Sequence, residues 1–227
     1  MMKTHYSVAV DGPSGAGKSS LSKAVAKELN ILYVDTGAIY RTIGLAAFRR
    51  GIDPKLEAAV VPMLPELDIG MEYGEDGLQH MMLNGEDVTA EIRLPEISLY
   101  ASDVSALPAV RAYLLDMQRD LAHKYCVIMD GRDIGTVILP DAEVKIYLTA
   151  SAEERARRRY LELAEKGTDK TYEDVLFEQR QRDYNDMNRE ISPLRPAEDS
   201  VTVDTTELDF EQSKQAILTV IRERVEA

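Results

Sequence analysis

The sequence predicts an α/β fold, a parallel sheet flanked by helices, and three observations carry that expectation. Short apolar runs, several of them β-branched, recur along the chain at Tyr6 to Val10, Ile31 to Val34, Cys126 to Met129, Val144 to Leu148 and Val201 to Val203. Stretches of helical spacing separate them, as a parallel sheet requires. The first two runs are joined by Gly12-Pro13-Ser14-Gly15-Ala16-Gly17-Lys18-Ser19, which fits G-x-x-x-x-G-K-[ST]. Strand, glycine loop, helix and second strand make one βαβ unit.

The residue types in the glycine loop follow from phosphate chemistry. Gly12, Gly15 and Gly17 let successive N–H groups converge on an anion at a helix N-terminus, where the dipole favours negative charge. Lys18 can then reach β- and γ-phosphates, and the Ser19 hydroxyl can ligate Mg2+. Pro13, Ser14, Ala16 and Ser20 complete the ATP-binding stretch. The following helix, Ser20 to Leu29, carries Leu21, Val25, Ala26 and Leu29 on one face.

With 227 residues, 44% of them hydrophobic, the chain can bury one substantial core. No apolar run reaches the ~20 residues of a membrane span, and the first strand leaves no room for a signal peptide. The single cysteine, Cys126, is expected in the core and excludes disulfides within the monomer. A cytoplasmic monomer is the expectation. The net charge of −13 argues against a broad nucleic-acid surface. Positive charge is nevertheless concentrated: nine of the 17 arginines lie between Arg132 and Arg195, which places the second half of a phosphate-handling site there.

Taken in order, Asp35-Thr36 opens a helix with Thr36 as expected N-cap, and Gly51 ends it. Tyr40 and Arg41 lie in its first turns, near the ligand-binding edge of the sheet. Residues 68 to 92 alternate in polarity around a turn cluster at Gly74 to Gly77. They predict two short antiparallel strands, with Val88 starting a third. Helices then run from Pro95 to Ser105 and Pro108 to Lys124. Arg111, near a helix start, opposes the dipole, and a bound phosphate would resolve that conflict.

Asp130 ends an apolar strand and is the natural partner of Ser19 for Mg2+. Gly131 to Thr136 follows, with Arg132 and Asp133 side by side; a local Arg–Asp pair is the plainer alternative. Ser151-Ala-Glu-Glu154 reads as a capping box. In the helix it opens, Arg155, Arg157, Arg158 and Arg159 crowd together and call for an anion. Glu165 to Tyr172, with Gly167, suits a mobile lid. Arg182, Asp186 and Arg189 share one face of the next helix, which starts at Glu173. A final amphipathic helix spans Phe210 to Val225.

Together, the phosphate loop, Asp35-Thr-Gly-Ala-Ile-Tyr-Arg41, Asp130-Gly-Arg-Asp-Ile-Gly-Thr136 and Arg182-Asp-x-x-Asp186-x-x-Arg189-x-x-Ser192-Pro-Leu194 resemble the bacterial cytidylate (CMP/dCMP) kinases. The resemblance spans nearly the whole chain. It implies a P-loop NTPase fold with a five-stranded parallel sheet, a core at residues 1–62 and 93–227, a helical lid at about 151–172 and a β insertion at about 63–92. It implies transfer of the γ-phosphoryl group from ATP to CMP or dCMP with Mg2+, and no nucleic-acid or membrane partner. Carried over by position, Thr36, Ser102, Asp133 and Asp186 would read the cytosine or sugar. Arg41, Arg111 and Arg132 would hold the acceptor phosphate, with Tyr40 beside them, Arg182 beside Asp186 at the base, and Arg189 bridging base and phosphate. Lys18, Arg132, Arg155, Arg158 and Arg159 would serve the transferred phosphoryl group. Thr36 stands where many members have serine, and the hydroxyl is kept. A UMP, AMP or shikimate kinase shares the loop but needs another acceptor pocket. A nucleotide switch is disfavoured by the absence of a guanine-reading N-K-x-D motif.

Overall fold

A computed structural model describes residues 5–74, 79–165 and 167–226. In chain order the first elements are β1 (Ser7–Asp11), α1 (Lys18–Leu29), β2 (Leu32–Asp35) and α2 (Thr36–Arg49). A short α3 (Glu57–Val60) leads to β3 (Ile69–Tyr73), β4 (Gln79–Leu83) and β5 (Glu86–Asp87). Next come α4 (Pro95–Val104), α5 (Pro108–Lys124), β6 (Val127–Gly131) and β7 (Val144–Thr149). The chain closes with α6 (Ala152–Glu165), α7 (Tyr172–Asn188), β8 (Val201–Asp204) and α8 (Phe210–Val225). It divides into two compact units, one of Met1–Leu32 with Tyr125–Ala227 and the other of Tyr33–Lys124.

The expected five-stranded parallel sheet is present, in the order β2-β6-β1-β7-β8. Central β1 is buried along its whole length, as its continuous apolar run demands of a strand covered on both faces. Its register sets Val10 opposite Asp130 and Asp11 opposite Gly131 on β6, and Asp11 opposite Tyr147 on β7. Adjacent strands lie about 4.8 Å apart, so loops leaving these C-terminal ends emerge side by side. Topology alone therefore puts the phosphate loop next to the Gly131–Thr136 loop.

In the second unit, β3, β4 and β5 form the expected antiparallel sheet. The third strand is Glu86–Asp87, ahead of Val88, because Asn84 and Gly85 take the positive φ values (52° and 81°) of a tight hairpin turn. Residues 75–78, within and just after the expected turn at Gly74 to Gly77, lie outside the described residues. α2 and α4 pack closely, and Ile39, Ile43, Leu45 and Ile97 are fully buried, each contributing roughly 1.5–3 kcal/mol. Gly44 permits this approach: a Cβ there would lie 2.8 Å from the Ala101 amide nitrogen and 3.2 Å from its Cα. Gly44→Ala is thus expected to cost about 1–3 kcal/mol by overpacking, despite alanine's better helix propensity. Urea unfolding measures this.

Several local expectations are corrected. The α2 N-cap is Asp35, whose carboxylate accepts from the Ala38 N–H at 3.0 Å; Thr36 is the first helical residue and buried. α7 starts at Tyr172, because Thr171 and Asp174 form a reciprocal capping box. At Ser151 only half such a box forms: the Glu154 N–H donates to the serine hydroxyl, but the Glu154 carboxylate turns to Arg157 and Arg158. Gly167, at φ 73°, closes the end of α6 through Gly167 N–H to Ala164 O and Thr168 N–H to Leu163 O. Cys126 is only half-buried, since it precedes β6 and lies outside the core. No helix among the described residues is long and apolar enough to cross a membrane.

Candidate active site

In the first unit the phosphate loop connects β1 to α1. Gly12, Gly15 and Gly17 all have positive φ (152°, 75° and 86°), and Gly17 caps α1 in the left-handed region. Only glycine adopts this backbone cheaply, which explains the sequence motif. Lys18 is buried, and its Nζ donates to the Gly12 and Pro13 carbonyls at 2.8 Å each. Burial first, and then the Arg132 guanidinium, pull its ammonium well below the usual lysine range; Asp130 and Asp186 oppose the shift. The Ser19 hydroxyl donates to Asp130 Oδ2 at 2.8 Å, so the two expected metal ligands are neighbours. Among the described residues no group of three or more His, Cys, Asp or Glu could hold a metal ion. A hydroxyl with one carboxylate suits a cation that draws its other ligands from phosphates and water, as Mg2+ does.

The loop after β6 meets the end of α7 in two crossed ion pairs. Arg132 Nε donates to Asp186 Oδ2 at 2.7 Å, and Arg189 Nη2 lies 3.5 Å from Asp133 Oδ1. Residues 132 and 133 thus engage residues nearly one helical turn apart. The plainer expectation, a local Arg132–Asp133 pair, is replaced by these long-range partners. Burial works against the Asp186 carboxylate, but Arg132, then Arg182 and Arg189, overcome it and hold its pKa below the usual range. The Asp186 carbonyl accepts from the Leu194 N–H at 2.8 Å, and Arg189 Nε donates to the Ser192 carbonyl. Ser192 takes φ 49°, an unusual left-handed conformation that accompanies this turn. Arg182 shares the electrostatic field of Lys18 and Asp186.

The four arginines of α6 do not present unmet charge, which corrects the demand for an anion inferred from their crowding. Buried Arg155 donates to the Ala150 and Ser14 carbonyls at 2.9 Å each and pairs with Asp183 at 2.7 Å. Its whole fork is committed to protein oxygens, so it braces the phosphate loop from behind. Arg157 pairs with Glu154, and exposed Arg159 with Glu162. Arg158 donates to Glu154 at 2.8 Å and to the Thr205 carbonyl at 2.7 Å. The exposed Arg159–Glu162 pair is worth about 0–1 kcal/mol, so a phosphate can recruit Arg159 at little cost, whereas Arg158 is part-buried between Glu154 and Thr205.

In the second unit, α2 presents Thr36, Tyr40 and Arg41. Arg41 Nη1 donates to Ser98 Oγ at 2.6 Å and to the Ile92 carbonyl at 3.1 Å. Arg111, buried on α5, donates to the Ser105 carbonyl at 3.0 Å, and its guanidinium lies 5.5 Å from the centre of the Tyr40 ring. Ser102 is half-buried on α4. Asp35 anchors the start of α2: Arg93 donates to its Oδ2 at 2.7 Å, and its N–H donates to Gln79 Oε1 at 2.7 Å.

Sequence reasoning missed Asp11, Asp183, Gln79 and Arg93. Asp11 carried one usable signal, a carboxylate at the end of an apolar strand directly before the glycine loop. Asp183 lay inside a recognised motif without a role. Nothing near Gln79 or Arg93 pointed to Asp35.

Residues 8–223 match the family model for cytidylate kinase. The chain is 51% identical to the cytidylate kinase of Caldicellulosiruptor bescii over 93% of each chain. It is 48% identical to that of Carboxydothermus hydrogenoformans, covering 94% of this chain and 96% of the relative. A crystal structure of an uncharacterised protein from Eubacterium ventriosum shares the fold, at TM-score 0.54 and 12% identity over 97% of this chain and 100% of that one. With its phosphate loop, its Ser19–Asp130 pair and its arginine–carboxylate crossing all lying inside the matched residues, the chain belongs to the cytidylate kinase family.

Proposed function

We propose how the chain performs its reaction, the phosphorylation of CMP or dCMP by ATP, and which side chains divide the work. The observation that carries this division is the crossed pairing of Arg132 with Asp186 and Arg189 with Asp133, the first pair lying within the electrostatic field of Lys18. It supplies anion and base recognition beside a triphosphate loop.

Backbone N–H groups from Ser14 to Ser20 cradle the ATP phosphates, and Lys18 leaves its two loop carbonyls to neutralise β- and γ-oxygens. Ser19 and Asp130, already hydrogen-bonded to each other, would hold Mg2+. When bound, Mg2+ offsets charge on the phosphate oxygens. Arg41, Arg111 and Arg132 grip the acceptor phosphate, their planar forks fixing its orientation for in-line attack. Thr36, Ser102, Asp133, Asp186 and Arg182 read the cytosine and sugar; Arg189 bridges base and phosphate. The acceptor oxygen is already anionic at neutral pH, so no enzyme nucleophile or strong general base is needed. Arg158 and Arg159 close over ATP as a lid, excluding water that would otherwise take the phosphoryl group. The protein acts as a cytoplasmic monomer on small molecules, without nucleic-acid or membrane partners.

ADP release from Mg-ATP in the presence of CMP, dCMP, UMP, AMP or shikimate tests the reading. Strong stimulation by CMP and dCMP alone is expected; stimulation by UMP or AMP instead would overturn the acceptor assignments. In Asp186→Ala the preference for CMP over UMP should fall by about tenfold or more, because a carboxylate accepting from the exocyclic amine is what penalises uracil. ATP affinity, measured by titration, should hold. Equal losses in both would sink the role given to Asp186.

A further inference from the structure

We infer that Asp11 is a positioning residue, whose carboxylate holds the loop bearing Arg132 and Asp133 in register with the phosphate loop. The inference rests on the reading of Arg132 and Asp133 as acceptor-binding residues. Asp11 ends β1, and its backbone leads directly into Gly12. Its side chain engages the neighbouring loop: Oδ1 accepts from the Ile134 N–H and Oδ2 from the Gly135 N–H, both at 2.7 Å and both buried. A single residue therefore belongs to both loops, by main chain to one and by side chain to the other.

The two amides need this partner. They open the wide turn Ile134–Ile138, in which Ile138 N–H bonds to Asp133 O and Leu139 N–H to Ile134 O. The first N–H groups of such a turn have no acceptor within it. Asp133 itself sits at φ −147°, ψ 29°, outside the regular helix and strand regions, so its conformation depends on what grips the next two residues. The fit is close: a Cβ on Gly135 would lie 3.3 Å from the Lys145 side chain and 3.4 Å from Asp11 Oδ2.

A carboxylate is the one short side chain that presents two acceptor oxygens to adjacent donors. Asparagine offers one oxygen and sets its amide donors against an N–H. Keeping a charge here is costly, since burial pushes the Asp11 carboxyl up to about 6 even though the two N–H bonds pull the other way. Bulk stability would be served as well by an uncharged contact. A buried, bidentate charge is what a loop needs when its arginine must be placed to a fraction of an ångström.

The test measures CMP kinetics, affinity for a nonhydrolysable ATP analogue, and hydrogen exchange of peptides covering residues 12–20 and 131–138. Losing one charge-assisted bond and stranding a buried donor in Asp11→Asn should lower kcat/KM for CMP by about 10- to 100-fold. Affinity for the ATP analogue should change by less than about threefold, and exchange should rise in the 131–138 peptide only. Asp11→Ser is smaller and its hydroxyl can accept from only one of the two N–H groups, so it should give the same split even if Asp11→Asn folds poorly. Parallel loss of CMP and ATP-analogue affinity, or unchanged exchange in the 131–138 peptide, would overturn the inference. Failure of the parent protein to phosphorylate CMP would instead sink the acceptor reading, while the exchange data still decide whether Asp11 holds the loop.

Discussion

Lys18→Met should lower kcat about 10³-fold while leaving the unliganded protein at least as stable as the parent. The kinetic effect follows from losing the one ammonium buried in the phosphate loop, where little solvent screens it from the transferring group. The stability effect has the opposite sign from the usual loss of a buried side chain. Burial, reinforced by Arg132, holds the Lys18 pKa well below its unfolded value, so the folded chain binds this proton less tightly than the unfolded one. Stability from this group accordingly rises with pH between the lowered folded value and the unfolded value, and the ammonium is a burden below that window. Methionine fills similar volume without the charge, although the Gly12 and Pro13 carbonyls lose a donor. Thermal unfolding without nucleotide should show a melting temperature no lower than the parent's. Saturating ATP analogue at about 100 times its Kd should stabilise the parent by about 2.7 kcal/mol, and the variant by much less. A variant that unfolds early without nucleotide would show that Lys18 supports the fold rather than the reaction.

Gly12→Ala should be the most damaging single-atom addition in the phosphate loop. A Cβ there would lie 1.9 Å from the Leu148 carbonyl oxygen, and the residue is at φ 152°. Leu148 is fully buried in β7, which is hydrogen-bonded on both sides, so its carbonyl cannot simply move aside. Overpacking and backbone strain together should cost about 3 kcal/mol or more and abolish ATP-analogue binding. Gly85 is the internal control. It also has positive φ, 81°, but nothing lies within 4 Å of its would-be Cβ. Gly85→Ala should cost only the left-handed strain, about 1–2 kcal/mol, and leave nucleotide binding intact. Similar losses in both variants would mean that φ alone, and not the contact with β7, makes glycine necessary at position 12.

These two glycines show what was legible in the chain. The phosphate loop is contiguous, and its requirement for positive φ and open backbone is written in three glycines over six residues. Strand and helix periods are equally local, which is why α5 and α8 match their expected bounds, Pro108–Lys124 and Phe210–Val225. The α2 cap was misread for a local reason too. Asp35 and Thr36 both cap well, and Asp35 won because its backbone is the extended one, at ψ 95°. The α6 arginines were misread for a different reason. Counting like charges along a helix ignores the carboxylates and carbonyls that folding brings to them, such as Asp183 and Ser14 for Arg155.

The sequence by itself determined the α/β class, the triphosphate loop, the Ser19–Asp130 pairing and the family to which the site belongs. Each of these rests on contiguous residues, on the repeat of a strand or helix, or on motifs kept in order. The tertiary structure alone decided who partners whom among the charges: Asp11 with amides 123 and 124 residues away, Arg132 with Asp186, Arg189 with Asp133, and Arg155 with Asp183. The physical reason is that a Coulomb or hydrogen-bond partner is chosen by distance in space. With 40 acidic and 27 basic side chains in the chain, many pairings are equally good on paper. Only the register of β1 against β6, and the packing of α7 where the two loops emerge, makes one of them real.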